Sequence, residues 1–179
     1  MIIDLFPARA CCFTGHRPQN LPFGFDERNP DCIWLKQRLE AEIRRLITYE
    51  HTTCFYSGMG LGIDQWAAEI VLKLREKYPR IRLNCVLPCE TQTEFWTEPQ
   101  RDRYFSIMER CDEEILLQGP YTKGCMQKRN KFMVDHSNII LAVWNGEKSS
   151  ETGATIHYAQ EKGREMFIID PVKQSSASL

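Results

Sequence analysis

Two apolar patterns alternate along the whole chain. Short runs such as "ACCFTG", "TTCFYSG", "IRLNCVLP", "EEILLQ", "NIILAVWNG" and "REMFIID" have the length and composition of buried strands. The segments between them keep a helical period instead. In "NPDCIWLKQRLEAEIRRLITYE", Leu35, Leu39, Ile43, Leu46 and Ile47 fall on one face, Asn29 can cap the start and Pro30 suits the first turn. After the second strand, Ile63, Trp66, Ala67, Ile70, Val71 and Leu74 form one stripe, and Pro79 lies just past its end. Pro88 stops the third strand, and "EPQRDRYFSIMERC", "CMQKRNKFMVDHS" and "TGATIHYAQEKG" supply the later helices.

Strands separated by helices require crossover connections, which are right-handed and leave a parallel sheet covered on both faces. The predicted fold is therefore three-layer, doubly wound, mainly parallel α/β and Rossmann-like, with the strand order left open. Residues 1–172 read as one domain without internal repeat or linker, and the polar tail "KQSSASL" (173–179) is expected to fray. Ligands in such folds sit beyond the carboxyl ends of the strands, where the strand order reverses.

Candidate chemistry gathers at those strand ends. Gly58, Gly60 and Gly62 alternate in "YSGMGLGID", between the second strand and its helix. Glycine admits positive φ and close approach of another group, and the free N–H groups of a helix's first turn favour an anion. A phosphate cradle is predicted there, with Ser57 adding a hydroxyl and Asp64 capping the helix or holding a ribose hydroxyl. The plainer alternative is a tight turn whose glycines only solve packing. The spacing is neither GxGxxG nor GxxxxGK[ST], which disfavours ordinary NAD dehydrogenases and P-loop NTPases.

"FTGHRP" sets His16 and Arg17 directly after Gly15 at the end of the first strand. Arg17 can pair with phosphate, and His16 can donate to one or act as acid or base. Glu90, after the third strand, can bind ribose or serve as a base, and Trp96 can stack on a base or simply fill core. Arg129 and Asn130 share one turn of a later helix. Thr152, Gly153 and Thr155, with Ser150 or Thr152 as N-cap, form a second candidate anion cradle after the fifth strand, read as ending at Gly146.

Composition narrows the partners. The 179 residues carry 23 Lys+Arg against 24 Asp+Glu, a formal net charge of -1, so no general excess of cations grips nucleic acid. Eight cysteines are present, but Cys11, Cys12, Cys54 and Cys85 lie in or beside apolar runs and no CxxC pair occurs. They read as reduced core residues of a cytoplasmic protein, not as disulfides or metal ligands. No apolar run reaches membrane-spanning length, so no membrane is expected.

"FTGHRP", "YSGMGLGIDQWAAEIV", "LPCETQTEFW", "MQKRNKFMVDHSNIILAVW" and "SSETGATIHYAQEKGREMFIID" together resemble the YpsA-like family of the SLOG superfamily, over nearly the whole chain. That superfamily also contains the DNA-processing protein DprA (Smf) and the Lonely Guy (LOG) nucleotide hydrolases. "SGMGLGID" is similar to the SGxAxGID turn of DprA. The resemblance implies a Rossmann-like fold and a nucleotide-type ligand at Gly58, Gly60, Gly62 and the Thr152–Thr155 turn. The LOG segment PGGxGTxxE is not reproduced: "SETGATIHYA" has no acid after Thr155 until Glu161, leaving Glu90 or Glu151 as substitutes.

The leading expectation is a binding protein or sensor for a nucleotide or nucleotide derivative, ADP-ribose-like or a nucleoside phosphate. Gly15, Arg17, Ser57, Gly58, Gly60, Gly62, Asp64, Arg129, Asn130, Thr152, Gly153 and Thr155 form its binding set, and no further cofactor is assigned. The alternative is a hydrolase of an N-glycosidic or phosphoester bond using Glu90 with His16 or Arg17. A third reading, single-stranded DNA binding in the manner of DprA, requires a basic stripe of Arg9, Arg17, Lys128, Arg129 and Lys131, and ranks last. Self-association is compatible with the fold, without a surface that names itself.

Overall fold

In the computed structural model, residues 8–172 are described. The order is β1 (Arg9–Gly15), α1 (Pro30–Tyr49), β2 (Thr52–Ser57), α2 (Ile63–Arg75), β3 (Arg82–Leu87), α3 (Glu98–Met108), β4 (Glu113–Leu116), α4 (Cys125–Asp135), β5 (Ile139–Val143), α5 (Glu151–Glu161) and β6 (Glu165–Ile169). All six strands lie in one sheet in the order β4-β3-β2-β1-β5-β6, and every pairing is parallel. This is the expected Rossmann-like α/β arrangement.

The strand order follows from two runs in opposite directions. From β1 the chain steps outward through β2 and β3 to β4, which places α1, α2 and α3 on one face by the right-handed rule. It then returns across the sheet to β5, on the other side of β1, and continues to β6, which places α4 and α5 on the opposite face.

Side-chain alternation along the strands matches these layers. Cys11 and Phe13 of β1 join Leu35, Leu39, Ile43 and Leu46 of α1 and the apolar stripe of α2 in the larger core. Cys12, Val86 and Ile140 face the other way, against Met133 and Val134 of α4 and Ala159 of α5. Phe13 and Phe55 stack at 5.8 Å between centroids, locking β1 to β2.

Helix α1 begins as its sequence dictates. The Asn29 side chain accepts the Asp31 amide at 2.9 Å and Pro30 occupies the first turn. Each fully buried leucine on its inner face contributes about 1.5–3 kcal/mol relative to an exposed one. One boundary differs from the sequence reading. Strand β5 ends at Val143, not Gly146, because the Asn145 side chain turns to His16 and the Trp144 indole donates to the Glu147 carbonyl at 3.0 Å. Among the described residues, no helix is long and apolar enough to cross a membrane.

Candidate functional site

The strand order reverses between β1 and β5, so their carboxyl ends diverge into separate loops. A cleft of about 610 Å³ opens there, lined from the β1 side by Gly15, His16, Arg17, Gln19 and Asn20. The β5 side supplies Glu147, Ser150, Glu151 and Thr152. The volume is that of a small-molecule site.

Its β5 wall is a capped helix start. The Ser150 hydroxyl accepts the Gly153 amide at 3.0 Å and donates to the Glu147 carbonyl at 2.6 Å, so Ser150 rather than Thr152 is the N-cap. The amides of Glu151 and Thr152 find no acceptor among the described residues. They carry the partial positive charge of the α5 start.

The β1 wall is fixed by His16, which is only 3 % exposed. Its Nε2 lies 2.8 Å from Asn145 Oδ1, and its backbone amide donates to the Val143 carbonyl at 3.3 Å. His16 thus ties the two diverging strand ends together. Arg17, the next residue, is half-buried, and no carboxylate lies within ion-pair distance of it among the described residues.

The glycine turn lies behind Arg17. Gly62 has φ +86, and a Cβ there would meet the Pro18 ring at 2.9 Å. The Gly60 amide donates to Asp64 Oδ2 at 3.1 Å, and a Cβ on Gly60 would stand 3.2 Å from Arg17 Nη1. The Ser57 hydroxyl donates to the Asp64 carbonyl at 2.8 Å and accepts the Met59 amide at 3.2 Å. Met59 has φ 58, a left-handed conformation that costs a non-glycine residue on the order of 1 kcal/mol. Ser57 and Gln65, whose Nε2 donates to the Met59 carbonyl at 3.3 Å, hold it there.

A buried polar chain connects this turn to α5. Arg129 is 3 % exposed. Its Nη1 donates to the Gly58 carbonyl and its Nε to Asn130 Oδ1 at 2.8 Å. Asn130 Nδ2 in turn donates to Thr155 Oγ1 at 3.2 Å, and the Thr155 hydroxyl donates to the Glu151 carbonyl at 3.0 Å. Burial pulls the Arg129 pKa below its usual value, with the field of Asp64 acting against that shift. Burial also pushes the Asp64 carboxyl up, opposed by Arg129, Arg17 and the Gly60 amide. Asp64 is therefore the internal countercharge of the two arginines, seated on the glycine turn where an external anion was expected.

With this geometry, the comparison with known proteins is specific. Residues 11–175 match the model of the YspA SLOG family (YpsA). The chain belongs to that family. It is 33% identical over 158 residues to the uncharacterized SPbeta prophage-derived protein YoqJ of Bacillus subtilis, covering 80% of this chain and 92% of that one. A UPF0398 protein of Brevibacillus brevis is 35% identical over 137 residues, 75% of this chain and 71% of its own. A UPF0398 protein of Bacillus velezensis is 29% identical over 151 residues, 83% of this chain and 82% of its own.

In this member of the YspA SLOG family, the residues singled out in the sequence divide into three groups. Gly15, His16, Arg17 and Thr152 line the cleft. Gly58, Gly60, Gly62, Ser57, Asp64, Arg129, Asn130, Gly153 and Thr155 form the framework behind it. Their polar atoms are engaged with one another, and a Cβ on Gly153 would lie 2.6 Å from the Glu147 and Lys148 carbonyl oxygens. The glycine turn and the α5 start are thus linked through Arg129 and Asn130, not through a cavity shared by their amides.

Glu90 stands apart. It is exposed at the end of β3, two strands from β1 and so roughly 10 Å across the sheet, and it does not line the cleft. Trp96 meets the Tyr104 ring edge-on at 5.7 Å between centroids, flanking the core. The basic stripe is dispersed: Arg9 pairs with Glu50 and Glu165 at the amino end of β1, and Arg129 is buried.

Sequence reasoning passed over Gln92, Asn145 and Glu147. Gln92 Nε2 donates to the Gly58 carbonyl at 2.9 Å, Asn145 holds His16, and Glu147 lines the cleft. Asn145 and Glu147 sit in "WNGEKSSE", directly before a helix cap, and that placement was the available signal.

Proposed function

We propose that the chain binds a nucleoside phosphate, or a derivative built on one, in the cleft between the β1 and β5 ends. One observation carries the reading. At the point where the strand order reverses, Arg17 and the α5 start, whose Glu151 and Thr152 amides are unpaired among the described residues, border the same cleft as the acidic residues Glu147 and Glu151. The cation and the amides suit a phosphate, and the carboxylates suit the hydroxyls of a ribose. Membership of the YspA SLOG family is in keeping with a nucleotide-type ligand. The role is that of a cytoplasmic binding protein or sensor, in keeping with eight cysteines held as free thiols.

A second reading, hydrolysis of the bound nucleotide, is favoured by a single relationship. Glu151 and Arg17 border one cleft, the combination needed to steady an oxocarbenium-like centre beside a phosphate. Glu90 drops out of this scheme because of its position, and Glu151 takes its place.

Purified protein should be denatured and the released small molecules identified by mass spectrometry, alongside a thermal-shift panel of AMP, ADP and ADP-ribose. Recovery of a nucleoside phosphate supports the reading. So does a rise in Tm of about 5–10 °C at a hundredfold excess over Kd. Absence of both, with millimolar ligand, refutes it.

A further inference from the structure

The segment between α3 and β4 is clamped onto β3. The Asp112 amide donates to the Leu83 carbonyl at 2.8 Å, and Asp112 Oδ2 accepts the Leu83 amide at 2.8 Å. Arg75 grips the same segment, its Nη1 donating to Asp112 Oδ2 and its Nη2 to the Arg110 carbonyl, both at 2.8 Å. Cys111 sits between these two held residues.

Its thiol meets a second one. Leu83 and Cys85 are two apart on β3 and share the face that packs with Ile107 of α3. Cys85 is fully buried there, and the half-buried Cys111 packs against the same cluster. The two side chains hydrogen-bond: the Cys85 thiol donates to Cys111 Sγ, and the Cys111 thiol donates to the Met108 carbonyl at 3.1 Å. The bond from Cys85 favours the Cys111 thiolate and pulls its pKa below the ordinary value, opposed by burial and by the charges of Glu114 and Asp112. A partly exposed thiol so activated, beside a buried one, is the pairing of an attacking and a resolving cysteine. Cys11 and Cys12, by contrast, point to opposite faces of β1, and burial pushes the Cys54 thiol up.

We propose that Cys85 and Cys111 form a reversible disulfide, with the disulfide of a low-molecular-weight thiol as the oxidant. The Cys111 thiolate attacks one sulfur of that molecule, the S–S bond breaks, and one small thiolate leaves and takes up a proton. The Cys85 thiol then gives its proton to solvent and attacks the Cys111 sulfur, which expels the second small thiolate. Two protein thiols are oxidised and one small disulfide is reduced to two thiols. The product ties the end of α3 to β3, and nothing in it depends on the nucleotide reading of the cleft.

The test is to expose the folded protein to oxidised glutathione, quench with an alkylating agent and map the peptides by mass spectrometry. The wild type should yield a Cys85–Cys111 linked peptide that dithiothreitol separates again, and Cys111 should react about tenfold or more faster than the similarly half-buried Cys54. Cys85→Ser should stop at a glutathione adduct on Cys111, and Cys111→Ser should leave Cys85 unmodified. A wild-type chain that stops at the adduct, links a different pair or leaves Cys111 unreacted overturns the proposal. The wild-type map decides the matter even if either serine variant fails to fold.

Discussion

The Arg129 guanidinium lies directly against the Gly58 peptide, its Nη1 donating to the Gly58 carbonyl while its Nε, at 2.7 Å, borders the place where a Cβ would stand. The same carbonyl accepts Gln92 Nε2 at 2.9 Å, so α4, the β2 turn and the β3 loop meet at one oxygen. Gly58→Ala drives a methyl into a guanidinium that is itself buried and hydrogen-bonded. It should destabilise the protein by about 1–3 kcal/mol, read from the urea midpoint at constant slope. An alanine variant as stable as the wild type would show that Arg129 does not hold this position.

Acid should act through Glu27. Burial pushes its carboxyl up, but hydrogen bonds and charge from Arg103 and Lys36 outweigh that and hold it at about 2, below the ordinary 4.5. A depressed folded value means stability that is present above pH 4.5 and lost as pH falls toward 2. Glu27 is about a third exposed, so solvent screening limits the contribution to about 1–2 kcal/mol. Glu27→Gln should lower stability at pH 7 and flatten the wild-type decline between pH 4.5 and 2. An unchanged acid limb in the variant would refute this.

Asp64 should work in the opposite direction. Burial raises its folded pKa above the usual 3.8, so its contribution favours the fold at low pH and is lost as pH rises through the elevated folded value. Asp64→Asn keeps an acceptor for the Gly60 amide but removes the titration. Stability plotted against pH should therefore lose its Asp64 component above pH 4 in the variant. The slope is the readout, because the absolute level also reflects the uncompensated charge left on Arg129. Identical slopes in both proteins would count against a perturbed carboxyl.

Glu151 separates binding from hydrolysis. If the cleft only binds, Glu151→Gln changes nucleotide affinity by about tenfold or less, and no free base forms with either protein. If hydrolysis occurs, the wild type releases base from a nucleoside monophosphate and the variant slows by about a hundredfold or more at similar KM. Chromatography of the reaction over several hours distinguishes the two. Turnover unaffected by the substitution would remove Glu151 from the reaction.

Most of the fold was legible because period and punctuation agreed: the apolar stripe of α1, its Asn29 cap and Pro30 all point to one helix start. Strand order was not, because nothing local to "NIILAVW" says that β5 inserts beside β1. At the site, Arg17 and Thr152 could be read from their place after a strand and before a helix. The hydroxyls of Ser57 and Thr155 look the same in sequence, yet both donate to backbone carbonyls of their own segments, the Asp64 and Glu151 carbonyls. Glycine spacing likewise signals close approach without naming what approaches. Here it is Arg129 at Gly58, Asp64 and Arg17 at Gly60, and Pro18 at Gly62.

The most direct test is calorimetric titration of AMP into the wild type and into Arg17→Ala. The half-buried Arg17 side chain borders the cleft and forms no ion pair among the described residues, so its removal should leave the fold intact and cost stability only through the field it exerts on Asp64. Saturable binding of one AMP per chain is predicted for the wild type, weakened about thirtyfold or more in a variant that still unfolds in one cooperative transition. Undiminished binding in Arg17→Ala, or none in the wild type, would contradict a phosphate seat at the divergence of β1 and β5.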